Sequence, residues 1–163
     1  MAGFLLLLWG PLSHSIPDSQ LSVSISAESA AKVVIYYRGL PVSESGIDFE
    51  LLVDGRSNKL ERTTSDLYLV GNVDRADIIF AETEFVLHQT SGGSTNMLLD
   101  GDFILGDTVA NASRMLRMPV IRNIQQATSA SRLKIKFSSK QRSGSYSSGD
   151  YSNVFTLIVT PVI

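Results

Sequence analysis

The sequence predicts an all-β sandwich, and three observations carry that prediction. Short segments rich in β-branched and aromatic residues recur roughly every 8–12 residues, with turn residues between them. Several of these segments alternate apolar with polar side chains, as a strand with one buried face must. The long amphipathic helices that a parallel α/β sheet needs between its strands are absent.

Taken in order, Lys32-Val33-Val34-Ile35-Tyr36-Tyr37 is the first core strand and ends at Gly39 and Pro41. Phe49-Glu50-Leu51-Leu52-Val53 stops at Asp54-Gly55, a strong hairpin-turn dipeptide. Leu67-Tyr68-Leu69-Val70 ends at Gly71-Asn72, and the strands Ile78-Ile79-Phe80 and Glu84-Phe85-Val86-Leu87 follow. Ser91-Gly92-Gly93-Ser94 is a loop. Met97-Leu98-Leu99 meets a turn at Asp100-Gly101, and Phe103-Ile104-Leu105 meets Gly106. The segment from Asp107 to Leu116 has a cap candidate and apolar residues near helical spacing, which reads as a short helix or an irregular crossover. Pro119 resets the chain into a short strand at Val120-Ile121. Arg132-Leu133-Lys134-Ile135-Lys136-Phe137 sets three apolar residues against three cations, a half-buried antiparallel strand. Ser138 to Asn153 is polar and glycine-containing, a flexible connection into the closing strand.

The two ends are the most distinctive part. Leu21-Ser22-Val23-Ser24-Ile25-Ser26-Ala27 alternates aliphatic residues with serine, and Phe155-Thr156-Leu157-Ile158-Val159-Thr160 alternates near the other end without a charge. Each presents one apolar stripe. An exposed apolar edge strand is an aggregation hazard that native proteins blunt, so this pairing points to a fold completed by another copy of the chain.

Composition limits the function classes. With 163 residues, 44% hydrophobic and 18% charged, the chain is one globular domain large enough for a real core. A net charge of −2 with scattered Lys and Arg gives no basic stripe for a phosphate backbone, so no nucleic acid partner is expected. The absence of cysteine removes disulfides, thiolate zinc sites and cysteine nucleophiles. Phe4-Leu5-Leu6-Leu7-Leu8-Trp9, the breaker Gly10-Pro11 and the small residues Ser13 and Ser15 read as a signal peptide over residues 1–15. That run is too short for a membrane span, which needs roughly 20 apolar residues. It also lacks the usual basic n-region, which leaves room for a start upstream of Met1. The expected organisation is a leader (1–15), an N-terminal arm (16–27) and a sandwich domain (28–163), exported and without membrane insertion of the mature chain.

Catalytic constellations are not visible. Of two histidines, His14 lies in the leader and His88 ends a strand, so a triad or metal pair would rest on His88 alone. Asp100-Gly101-Asp102 with Asp107 lacks the ligand spacing and terminal Glu of a calcium loop. Asn111-Ala112-Ser113 matches a glycosylation acceptor only at the level of three residues. The reading is a non-enzyme with no cofactor and no metal.

These residues resemble subunits of chaperone–usher pili. The carriers are the leader, the serine-spaced arm, and Gly149-Asp150-Tyr151 introducing the alternating strand Phe155–Val159. The chain is most similar to disulfide-free types such as coli-surface-antigen and common-pilus subunits, and to spore-coat-U-like domains. The resemblance implies an immunoglobulin-like antiparallel sandwich lacking its last strand. Its groove would be filled first by a periplasmic chaperone and then, at the outer-membrane usher, by the arm of a neighbouring pilus subunit. It implies passage through the periplasm to a fimbrium on the cell surface. Carried onto this chain, Leu21, Val23, Ile25 and the smaller Ala27 are the donor residues. Phe155, Leu157 and Val159 line one wall of the acceptor groove and Val33 and Ile35 the other, with Val34 and Tyr36 on the alternative face of that strand. Pro161, lacking an amide hydrogen, is expected to interrupt pairing at the end. The competing reading makes Leu21–Ala27 an ordinary first strand of a self-contained secreted module, an adhesin or carbohydrate-binding domain; a secreted β-sandwich hydrolase is a third class.

Overall fold

The computed structural model describes residues 24, 26–27, 29–43 and 46–163. Thirteen strands follow in chain order among them. They are β1 (Val33–Tyr37), β2 (Leu40–Pro41), β3 (Leu52–Val53), β4 (Lys59–Thr63), β5 (Leu67–Gly71), β6 (Arg75–Phe80) and β7 (Phe85–Gln89). The second half holds β8 (Asn96–Leu105), β9 (Thr108–Asn111), β10 (Leu116–Pro119), β11 (Leu133–Arg142), β12 (Tyr151–Ser152) and β13 (Leu157–Val162). Helical structure among the described residues is confined to three 3-10 turns of three residues each.

The strands form two antiparallel sheets. The larger runs β12-β7-β8-β11-β5-β1-β2, with β4 also on β11, β3 on β4 and β9 on β8; the smaller is β10-β6-β13. This is an immunoglobulin-like β-sandwich, the class that the strand spacing predicts. Its core is the space between the sheets. Phe80 of the small sheet stacks on Phe103 of the large one at 5.6 Å, while Phe85 and Phe137 meet Phe80 edge-on at 5.2 and 5.9 Å. Offset and edge contacts of this kind add to the area buried by each ring. The cations opposite the buried face of β11 meet carboxylates: Lys134 lies 3.6 Å from Asp66 and Lys136 3.7 Å from Glu61.

Several local expectations are corrected. Asp100-Gly101 is not a turn; β8 runs unbroken through it. A Cβ at Gly101 would come 2.8 Å from the Phe85 ring and 3.1 Å from Phe137, so this glycine makes room for aromatic packing across the sheet. The segment from Asp107 to Leu116 holds no helix; most of it is strand, and residues 112–115 make an irregular crossover from the large sheet to the small one. Gly106, at φ +57, turns the chain back so that β9 pairs with the end of β8, and β10 then joins β6. Of Phe49–Val53 only Leu52–Val53 is strand. Ser138–Asn153 is no mere connection, since β11 extends to Arg142 and β12 pairs with β7. Val120-Ile121 forms no strand: Ile121 makes a single parallel bridge to Val70.

Candidate strand-accepting groove

The chain reaches its last strand by changing sheets. Gly149-Asp150-Tyr151 is pinned to the end of β7 first: Thr90 N–H donates to the Asp150 carbonyl at 2.7 Å, and the Ser91 hydroxyl donates to the Asp150 carboxylate at 2.7 Å. The Tyr151 hydroxyl donates to the Ser147 carbonyl at 2.9 Å. From β12 the chain crosses the sandwich, with Asn153 Nδ2 donating to the Val86 carbonyl at 2.7 Å and Thr156 N–H to the Glu82 carboxylate at 3.0 Å. Between them Phe155 packs 5.2 Å from Phe85 and 5.4 Å from Phe137.

β13 then lies along β6, with Leu157 opposite Phe80, Val159 opposite Ile78 and Pro161 opposite Ala76. Those three partners are buried, so Leu157, Val159 and Pro161 face the core, while Ile158 and Thr160 face out. Across the sandwich, Val33, Ile35 and Tyr37 of β1 stand opposite Gly71, Leu69 and Leu67 of β5. Leu69 and Leu67 are buried, so the odd-numbered residues of β1 face inward and Val34 and Tyr36 outward, which resolves the register left open by the sequence.

Both strands are incompletely flanked. Among the described residues β13 pairs with β6 alone, and β1, paired with β5 along its length, is flanked on its other side by the two-residue β2 at Tyr36 and Tyr37 and by Val42, whose N–H donates to the Ile35 carbonyl at 2.8 Å. The side chains that face inward from them are only half-buried: Val33, Ile35, Tyr37, Leu157 and Val159 pack on the core without being enclosed by it, as does Phe155, which precedes β13 rather than opening it as the sequence suggested. Val33, Ile35, Phe155, Leu157 and Val159, the five residues expected to line the acceptor groove, each pack on the core from one of these two segments. Tyr37 and Pro161 continue the same two stripes; the period-two spacing from Ile35 and from Val159 is the signal that would have found them.

The ladder parity decides what the open edge offers. Ala81 N–H donates to the Thr156 carbonyl at 2.8 Å, so even-numbered residues of β13 bond to β6. Leu157, Val159 and Pro161 consequently direct their backbone groups away from β6. Strand β13 continues through Pro161 to Val162, contrary to the interruption expected there, because the missing amide hydrogen lies on the side where β6 needs none.

The segment leading into β1 is fixed by a residue that reads from sequence only as a turn former. Asn72 accepts from Lys32 N–H at 2.7 Å through Oδ1, and its Nδ2 donates to the Ala30 carbonyl at 2.9 Å and to Ser29 Oγ at 3.3 Å. Ala27 is exposed and outside any strand. Leu21, Val23 and Ile25 lie outside the described residues, as does the leader. Arg38 sits 5.3 Å from the Tyr37 ring, and although burial raises the Tyr37 phenol, hydrogen bonding with Ser65 and the Arg38 charge outweigh it and hold the pKa below the usual tyrosine value.

Elsewhere, His88 Nδ1 lies 2.9 Å from Asn96 Oδ1 on an exposed strand end. No group of three or more histidines and carboxylates suited to a metal occurs among the described residues. A shallow cleft of about 220 Å³ lies between β7, β8 and β9, lined by Glu84, Asp100, Asn111, Ser113 and Lys140 among others. No helix among the described residues is long and apolar enough to cross a membrane.

No family model matches this chain, and no protein of the curated set matches it in sequence. Among solved structures, the chain is similar to one described as a chaperone–tip adhesin complex vital for synergistic activation of CFA/I fimbriae biogenesis. The TM-score is 0.51 at 13% identity, over 82% of this chain and 42% of that one. The likeness is one of fold, and the chain spans less than half the length of that neighbour.

Proposed function

We propose that the protein is a structural subunit of a surface fimbrium, a non-catalytic building block that joins its neighbours by β-strand addition. The observation that carries this reading is the pair of half-buried apolar stripes on β1 and β13 beside an edge without a partner strand among the described residues. An alternating aliphatic strand laid on that edge would gain backbone hydrogen bonds from β13 and bury its own side chains against both stripes. Each large aliphatic side chain so buried contributes about 1.5–3 kcal/mol, enough over three residues for a long-lived joint. The arm segment Leu21–Ala27, with Leu21, Val23, Ile25 and Ala27 on one face, is the natural donor, given in trans to the next subunit. Support of another kind comes from the fimbrial context of the structurally similar chain. In this reading the groove is held by a periplasmic chaperone before assembly, the exchange occurs at an outer-membrane usher, and the assembled fibre serves adhesion.

The test compares the chain from Ile16 with one lacking residues 16–27. The arm-deleted chain is expected to be less stable and unable to polymerise, and an added Gln20–Ala27 peptide to restore its stability, an effect lost when Val23 becomes Asp. A stable monomer that holds its own arm and exchanges with no peptide would instead establish the self-contained binding module.

A further inference from the structure

We infer that Pro161 fixes the register of the strand that the open edge of β13 accepts. This rests on the strand-addition reading above and adds to it a residue that selects among alignments of the partner.

The parity of the ladder puts Leu157, Val159 and Pro161 on the free edge. A non-proline edge would present three N–H donors and three carbonyl acceptors there. This one presents three acceptors but donors at Leu157 and Val159 only, because proline has none. The defect does not depend on the direction of the incoming strand, since a parallel or an antiparallel partner needs the same missing hydrogen. It is also silent toward β6, which bonds the even-numbered residues, so β13 itself loses nothing by it.

An alternating donor such as Leu21–Ala27 looks nearly the same to the groove when moved by two residues, since each such step puts apolar side chains back into the same stripe. Side-chain burial alone therefore discriminates poorly among such alignments. The proline supplies the difference. Moving the partner toward Val162 places one of its carbonyls opposite Pro161 with no donor, whereas moving it toward Leu157 keeps both donors occupied and brings an apolar side chain against Phe155, which is packed on Phe85 and Phe137. The accepted strand is held at the Phe155 end.

The same geometry disfavours a wrong partner. Two copies meeting edge to edge through β13, antiparallel about Val159, would set Pro161 of each opposite Leu157 of the other and forgo two hydrogen bonds.

The chain has no cysteine, so introduced pairs report register without background. Ile158 and Thr160 face outward, as do Ser22, Ser24 and Ser26 of an alternating donor. The arm-deleted chain carrying Ile158→Cys or Thr160→Cys is mixed with Gln20–Ala27 peptides bearing cysteine at 22, 24 or 26, and disulfide yields are compared with and without Pro161→Ala. In the Pro161 chain one peptide position is expected to dominate at each chain cysteine. In Pro161→Ala a second alignment, two residues toward Val162, should appear, and peptide affinity should rise roughly two- to tenfold, the effect of one added hydrogen bond. Pro161→Thr should behave alike. Peptide binding in one unchanged register in both variants overturns the role of Pro161 alone. Failure of the peptide to bind the Pro161 chain at all overturns the strand-addition reading and this inference with it.

Discussion

β11 and β13 both turn a stripe of large apolar side chains to the core, yet those stripes end in different environments. Leu133, Ile135 and Phe137 of β11 are 1%, 6% and 7% exposed, whereas Leu157 and Val159 of β13 remain half-buried. The difference is one of neighbours. β11 has β8 along one edge and β4 and β5 along the other, while β13 has β6 alone among the described residues. Sequence alternation determines which face a strand turns to the core, and flanking strands determine how completely that face leaves water. The half of the sandwich around β8 and β11 is finished, whereas β13, in the other half, has one flank without a paired strand among the described residues.

The contrast should show most strongly in stability. Phe103 is fully buried, stacked on Phe80 at the centre of the finished half. Phe103→Ala is expected to cost about 3–5 kcal/mol through lost burial and the cavity left behind, measured by urea unfolding. A loss under about 1 kcal/mol would mean that this region relaxes as freely as the open one, contrary to the packing density expected of a core.

At the open edge the same kind of truncation should divide its effect between two measurements. Leu157→Ala removes a side chain that is only partly enclosed, so the chain without a partner strand should lose roughly 1–2 kcal/mol. Once a donor strand covers the groove that side chain becomes fully buried, and the Gln20–Ala27 peptide should bind the variant about tenfold or more weakly by titration calorimetry. Equal peptide affinity for the two chains would separate Leu157 from the binding surface and erase the distinction between the halves.

How much of this was legible in the sequence follows from which interactions are local. The alternations of β11 and β13 could be read directly because period two is a property of the strand itself. Asp100-Gly101 was misleading for a physical reason: the dipeptide favours a turn, but Gly101 serves the Phe85 and Phe137 rings, which approach from residues far away in sequence. The helical spacing between Asp107 and Leu116 was likewise overridden by pairing of β9 with β8 and of β10 with β6. Of the two stripes, Phe155, Leu157 and Val159 were legible, while the inward face of β1 was left open and Tyr37 and Pro161 were not picked out. The hold of Asn72 on residues 29–32 and the harmless side of Pro161 were not legible either. Both depend on which distant segment lies alongside, and no local pattern encodes that.

The small sheet contains the comparison in miniature, because its two outer strands are held differently. On the β10 side, Arg117 donates to both carboxylate oxygens of Asp77 in β6, at 2.8 and 3.0 Å. On the β13 side the residue opposite Asp77 is Thr160. Hydrogen bonding and charge from Arg117 outweigh the opposing effect of burial and hold the Asp77 carboxyl below the usual carboxylate range. The unfolded chain therefore takes up this proton at a higher pH than the folded one. The stabilisation is fully present above the ordinary carboxylate pKa of about 4 and is lost as pH falls through the depressed folded value. Asp54, held low by hydrogen bonds from Ser57 and Arg56, adds to the same acid dependence. Asp77→Asn should thus give a shallower decline of the urea midpoint between about pH 5 and 2, with a small effect at neutral pH because the pair is on the surface. Peptide binding at β13 should be unchanged, since the substitution loosens the opposite edge. A variant that kept the full acid dependence would remove Asp77 as its source. One that weakened peptide binding would show that the two edges of this sheet are coupled, so that the open side draws its order from the clasp on the closed one.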